Sequence, residues 1–219
     1  MQRLRLKNRY IITPNVADTH RFCPTNAVIH KTKKQFIHVS CFDEPAKNIK
    51  GIINVFENLS RQRNDFELTI IGTGPDVTDI IAHAEKTGLN GRVIYFTGLL
   101  EGDALQNRMK SADAMVMFSN YENLPCTIVE SICCGVPVIS TDVGGIKEHL
   151  NATNGILVKA GDESMLEKAI LQILNNQFKT DKEAIRNYGE SHFSMNAVSD
   201  LFESVYGTAP GFINNLKSM

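Results

Sequence analysis

The stretch AMVMFSNYENLPCTIVESICCGVPVIST, residues 114–141, decides the fold. It opens with a continuous apolar run, AMVMFS (114–119), and closes with a β-branched run, PVIST (137–141). Both read as strands buried on two faces. Between them TIVESICC (127–134) has helical spacing and stops at Gly135. Strand, helix and strand within 28 residues make a parallel β-α-β unit with a right-handed crossover.

The same alternation runs outward in both directions. FIHVS (36–40), FELTIIG (66–72), RVIYFTG (92–98) and GILV (155–158) read as further strands. Residues 49–62 form a helix with apolar positions at Ile49, Ile52, Ile53, Phe56 and Leu59. Helices are expected at 77–88, with Gly88 as its stop, and at 103–112, with Asp103 as its cap. Three more, near 163–175, 181–188 and 194–206, have no strands between them. The pattern predicts an α/β protein: a doubly wound parallel sheet, Rossmann-like, with extra C-terminal helices. Ligands of such sheets bind outside the carboxyl ends of the strands.

The 219 residues suit one such domain, and with 42% hydrophobic and 21% charged residues the composition is that of a soluble globular chain. A net charge of −1 provides no global field to recruit nucleic acid, so no nucleic-acid partner is expected. Lys31, Lys33 and Lys34 read as a solvated strand edge. The five cysteines, an odd number without a Cys-x-x-Cys, suggest buried free thiols rather than disulfides or zinc. With no long apolar stretch and no signal-peptide pattern, the reading is cytoplasmic. Residues 1–30 carry turn signals at Thr13-Pro14-Asn15 and Cys23-Pro24 and read as a connecting segment with one short strand. Residues 31–190 form the domain, and 191–219 a crossover helix and tail.

Four strand ends carry candidate chemistry. After the first strand, Lys47 presents an ammonium either to an anion or to solvent. After the second, IIGTGPD (70–76) contains Gly72 and Gly74. These either allow close approach of a ligand or make a tight turn, with Pro75 opening the helix. The spacing departs from a dinucleotide fingerprint at Val77. The third is YENLPC (121–126): Pro125 starts a helix, leaving Glu122 in the loop and Glu130 in the first turns. Free helix amides between two carboxylates would suit a phosphate flanked by sugar hydroxyls. Equally, Thr127 to Glu130 fits a capping box, with Glu130 bonded only to the cap backbone. The fourth, TDVGGIKEH (141–149), places Gly144, Gly145, Glu148 and His149 in a turn that either lines a site or merely packs.

ENLPCTIVESICCGVPVISTDVGGIKE (122–148) resembles the donor-site signature of the retaining glycosyltransferases of GT-B fold known as group 1, or family four: Glu-x7-Glu, then Cys-Gly-x-Pro-Val-Ile and a Gly-Gly turn before a Glu. TPNVADTHRFCP, KNIKGIINVF, IIGTGPD, VIYFTG, SADAMVMFSNYENLP and NGILVKAGDESMLEKAI follow in the family's order, covering residues 11 to 206. The resemblance implies the C-terminal, donor-binding half of a hexosyltransferase that uses a nucleotide diphosphate sugar. Glu122 is then the catalytic carboxylate at the donor sugar. Asn123, Leu124 and Pro125 form the loop beside that sugar, and Cys126 and Thr127 offer amides to the diphosphate. Glu130 binds the ribose and Lys47 pairs with the diphosphate. Gly72 and Gly74 admit the nucleotide, and Leu99, within 96–100, borders the base.

No metal and no separate cofactor are implied, since fixed cations and helix dipoles neutralise the leaving group. The implied partners are the donor, a sugar or lipid-linked acceptor, and an N-terminal acceptor domain that this chain lacks. The fragment alone is expected not to turn over, and the full enzyme could sit at the inner membrane face. Two positions depart from the family: Cys41 or Phe42 stands where an arginine usually follows the first strand, and Asn123-Leu124 replaces Gly-Phe. A non-catalytic nucleotide-sugar-binding module and, more remotely, an NAD oxidoreductase are the competing readings.

Overall fold

The computed structural model describes residues 11–25 and 31–207. Six strands form one sheet: β1 (Lys34–Val39), β2 (Phe66–Ile71), β3 (Ile94–Gly98), β4 (Ala114–Met117), β5 (Val138–Thr141) and β6 (Gly155–Val158). Their order is β3-β2-β1-β4-β5-β6, and every pairing is parallel. The chain winds outward from β1 to β3, then returns to β1's other side with β4. The switch point of this doubly wound sheet is therefore the crevice above β1 and β4.

Alternation along the strands divides the core between two faces. Phe36, Leu68, Val116 and Ile139 face one layer. Ile37, Ile71, Met115 and Val138 face the other. Helices α2 (Ile49–Ser60), α3 (Val77–Lys86) and α6 (Glu163–Leu174) cover the first face with their buried apolar stripes. Helices α4 (Gly102–Ser111), α5 (Cys126–Cys133) and α7 (Lys182–Phe193) cover the second. The crossing of α5 and α7 is close because Gly189 carries no Cβ; one built there would lie 3.0 Å from Cys133 Cα. The strandless C-terminal helices thus pack largely on this domain. Helix α8 (Met195–Gly207) leaves Met195, Phe202 and Tyr206 exposed.

Several local expectations are corrected. Pro75 lies two residues ahead of α3, whose N-cap is Asp76. Helix α4 is capped by Glu101, without a side-chain bond, and Asp103 sits in its first turn. A short helix, α1 (Glu44–Lys47), precedes α2. Asp43 caps it through Ala46 N–H, and Glu44 accepts from the first amides of α2, Ile49 N at 2.8 Å and Lys50 N at 3.0 Å. The expected edge lysines are paired rather than solvated: Lys31 with Asp113 at 3.0 Å and Lys33 with Glu67 at 3.0 Å. Residues 11–25 contain no strand; a strand within 1–10 or 26–30 would lie outside the described residues. No described helix is long and apolar enough to cross a membrane.

Candidate functional site at the carboxyl ends of β1 and β4

The loops after β1 and β4 meet at the switch point. Helix α1 docks on the loop after β4: Asn120 N–H donates to Ala46 O at 2.8 Å, and Asn120 Nδ2 to Pro45 O at 3.1 Å. This sets Lys47, at the end of α1, against Glu122. Lys47 Nζ lies 2.6 Å from Glu122 Oε1, and Ser119 Oγ donates to the same oxygen at 2.8 Å. Glu122 is buried, with 8% of its surface exposed. Among the described residues nothing bonds to its second oxygen, Oε2. Thr141, at the end of β5, holds Ser119 from behind, donating to its carbonyl at 2.7 Å.

Beneath the pair, His38 on β1 is fully buried. Its Nδ1 is 2.8 Å from Val116 O and its Nε2 is 2.7 Å from Ser40 Oγ. The carbonyl can only accept, so the proton sits on Nδ1 and Ser40 donates to Nε2. Burial, with the Lys47 charge adding, pushes the imidazole down to about 4. His38 is thus a neutral strut under the loop, not a proton shuttle.

Pro125 is the N-cap of α5, extended at φ −63 and ψ 131, and no side chain caps the helix. The first amides, Cys126 and Thr127, donate to nothing among the described residues. The capping-box alternative for Glu130 is overturned: Thr127 already lies inside the helix, so it has no cap backbone to offer. The Glu130 carboxylate accepts no hydrogen bond among the described residues, and burial holds its pKa above the ordinary carboxylate range. Glu122 and Glu130 therefore flank a helix start with free amides.

The other predicted residues fall around this centre. Leu99 is 62% exposed in the loop after β3. Asn123 is exposed, and its carbonyl accepts from Gly145 N–H at 2.8 Å. Leu124 packs partly on the core. Gly72 and Gly74 are required by packing of the chain on itself: a Cβ on Gly72 would lie 1.9 Å from Ser40 O, and one on Gly74 2.5 Å from Phe42 N. The cysteine expectation holds in part. Cys133 and Cys134 are buried, and burial raises both thiols to about 12, but Cys41 and Cys126 are exposed at this site. Cys41 lies in the loop just after β1 and Cys126 at the first turn of α5, both on the strand-end side of the sheet.

Sequence reading missed Ser119 and Asn15. Asn15 Nδ2 donates to Leu124 O at 2.8 Å, tying the N-terminal segment to the α5 loop. The two border a cavity of about 330 Å³ that also takes in Gly144, Glu148 and His149. His149 packs edge-on against Phe193, and its ring nitrogens bond to nothing among the described residues. A larger cavity, about 460 Å³, lies at the opposite end of the sheet among Lys31, Lys34, Asp65 and Asp113. It is remote from every strand end that a doubly wound sheet uses. Among the described residues no cluster of His, Cys, Asp or Glu could hold a metal ion.

Known proteins resemble this chain in sequence and in fold. The sequence profile of the glycosyl transferases group 1 family matches residues 24–192. N-acetyl-alpha-D-glucosaminyl L-malate synthase of Bacillus anthracis is 26% identical over 186 residues, 81% of this chain and 46% of that protein. The sucrose-phosphate synthase of Thermosynechococcus elongatus superposes with a TM-score of 0.76 at 21% identity, over 90% of this chain and 52% of that one. Anabaena HepE, solved in complex with UDP, superposes with a TM-score of 0.71 at 19% identity, over 81% of this chain and 50% of that one. The chain spans about half the length or less of the curated relatives it matches. The six-stranded parallel sheet is the Rossmann-like half of a GT-B fold, and the chain belongs to the group 1 glycosyl transferases.

Proposed function

We propose that the crevice above β1 and β4 binds a nucleotide diphosphate sugar, and that the whole enzyme transfers the hexose to a hydroxyl acceptor with retention. The observation that carries this reading is the pair of free amides, Cys126 and Thr127, at the start of α5 between Glu122 and Glu130. The diphosphate sits on those amides, favoured by the helix dipole. Glu130 accepts from the ribose hydroxyls. Oε2 of Glu122 accepts from a sugar hydroxyl. Leu99 borders the base. That HepE was solved with UDP supports a uridine nucleotide as a first candidate. In the transfer, the bond from the anomeric carbon to the β-phosphate oxygen breaks, and a bond to the acceptor oxygen forms on the same face. The acceptor proton goes to the departing phosphate. An acceptor domain must supply the other wall of the cleft, so this chain by itself binds donor without turnover.

One observation favours the second reading, a binding module without chemistry: Cys41 or Phe42 stands where the family's arginine usually helps neutralise the diphosphate. Calorimetry with UDP, GDP, ADP and their hexose esters tests the proposal. Binding of at least one ester, with the sugar's contribution to affinity lost in Glu122→Ala, supports it. If no nucleotide ester binds, it is refuted.

A further inference from the structure

The group that the family resemblance assigns to the diphosphate, Lys47, and the one it assigns to the sugar, Glu122, are bonded to each other. Lys47 Nζ lies 2.6 Å from Glu122 Oε1, with side chains 16% and 7% exposed. The contact is built in: α1 is pinned to the loop after β4 through Asn120, and Ser119 fixes the same carboxylate oxygen. Other cations near the strand ends are also engaged, Lys50 with Asp79 and Lys147 with Asp142. Cys41 supplies no cation. Among the described residues at these strand ends, the remaining positive pole is the start of α5, equivalent to roughly half a charge.

We infer that Glu122 is a specificity-determining counter-charge: by neutralising Lys47, it makes the site prefer an intact nucleotide diphosphate sugar to the bare nucleotide diphosphate. This rests on the donor site proposed above. The ester and the bare diphosphate differ in their terminal phosphate. In the ester, that oxygen is bonded to the sugar and carries no charge. In the bare diphosphate it is ionised, and it points to where the sugar was, toward Glu122. A carboxylate accepts from sugar hydroxyls but repels an anionic oxygen, and in a half-buried crevice that repulsion is weakly screened. With Lys47 engaged by Glu122, no free ammonium among the described residues at these strand ends offsets it. The same contact hastens departure of the bare diphosphate once the sugar has been transferred.

The test is calorimetry on the chain and on Glu122→Gln, using UDP, GDP, ADP and their hexose esters. Glu122→Gln frees Lys47 and removes the repelling charge, so the bare diphosphate binds roughly tenfold tighter or more. The ester gains less, and the preference for it shrinks. In Lys47→Gln the carboxylate is unopposed and the bare diphosphate binds more weakly than in the unmodified chain. In the double variant, neutral at both positions, its affinity returns toward the starting value. A purely structural role predicts the reverse, with the double variant the weakest of all. Should an ester bind while Glu122→Gln leaves diphosphate affinity unchanged or weaker, the inference fails and the donor site stands. Should no nucleotide bind, both fall. Thermal unfolding of each variant establishes that it is folded.

Discussion

Gly144 lies directly against the carbonyl of Glu122: a Cβ built on it would fall 2.1 Å from that oxygen and 2.7 Å from Asn123 O, at a φ of +58. The turn after β5 thus sets the position of the loop after β4. Gly144→Ala must push residues 122–123 away, costing about 2–4 kcal/mol of stability and displacing Glu122. Gly91 is the control, at φ +73 with nothing within 4 Å of its Cβ. Gly91→Ala costs only the backbone strain, about 1–2 kcal/mol. Chemical denaturation separates the two, and donor affinity falls only in Gly144→Ala.

Glu130 is half-buried without a partner among the described residues, an unfavourable place for a charge unless a ligand uses it. Glu130→Gln therefore leaves stability unchanged or raises it by about 1 kcal/mol. Nucleotide affinity falls about tenfold, as for a lost hydrogen bond to a charged group. Loss of stability with unchanged affinity would assign Glu130 to the fold instead.

Buried His38 gives stability a pH dependence. Its ordinary value is 6.5 and its folded value about 4. Above 6.5 it is neutral folded and unfolded alike. Between 6.5 and about 4 only the unfolded chain takes up the proton, so stability drains away across that window, by about 3 kcal/mol in all. His149, also held low by burial, acts in the same direction. Glu44 and Glu130, both raised, act oppositely. The His38 share is read as the difference between the profiles of the unmodified chain and His38→Asn, which lacks the fall.

The thiols report occupancy. Cys41 and Cys126 are exposed, while Cys133 and Cys134 are buried with pKa values near 12. A maleimide labels the first two and leaves the last two untouched while the chain is folded. A bound nucleotide diphosphate sugar slows labelling of Cys126, at the first turn of α5. Equal labelling with and without donor would place the ligand elsewhere.

Much of this was legible in the sequence because strands buried on both faces announce themselves. AMVM, VIST and GILV could hardly be anything else once glycine stops and helical spacing separated them. Pro125 likewise marked the start of α5 to within one residue, since its fixed φ and missing N–H tolerate few other places. What stayed hidden was tertiary. Nothing local says that α1 will dock on Asn120 and swing Lys47 onto Glu122, 75 positions apart. Gly72 and Gly74 suggested room for a ligand, yet loop 40–42 occupies the space beside them. The edge lysines read as solvated because their acids come from elsewhere in the chain, Asp113 just before β4 and Glu67 on β2.

In the proposed donor site, the start of α5 receives the diphosphate of a sugar nucleotide. Amide NMR of the isotopically labelled chain, titrated with UDP-glucose and other hexose esters of nucleotide diphosphates, tests it most directly. The largest shifts should fall on the Cys126 and Thr127 amides, with smaller ones at Ser119, Glu122 and Leu99. Shifts confined to Lys31, Lys34 and Asp113, at the opposite end of the sheet, or none with any donor, would contradict it.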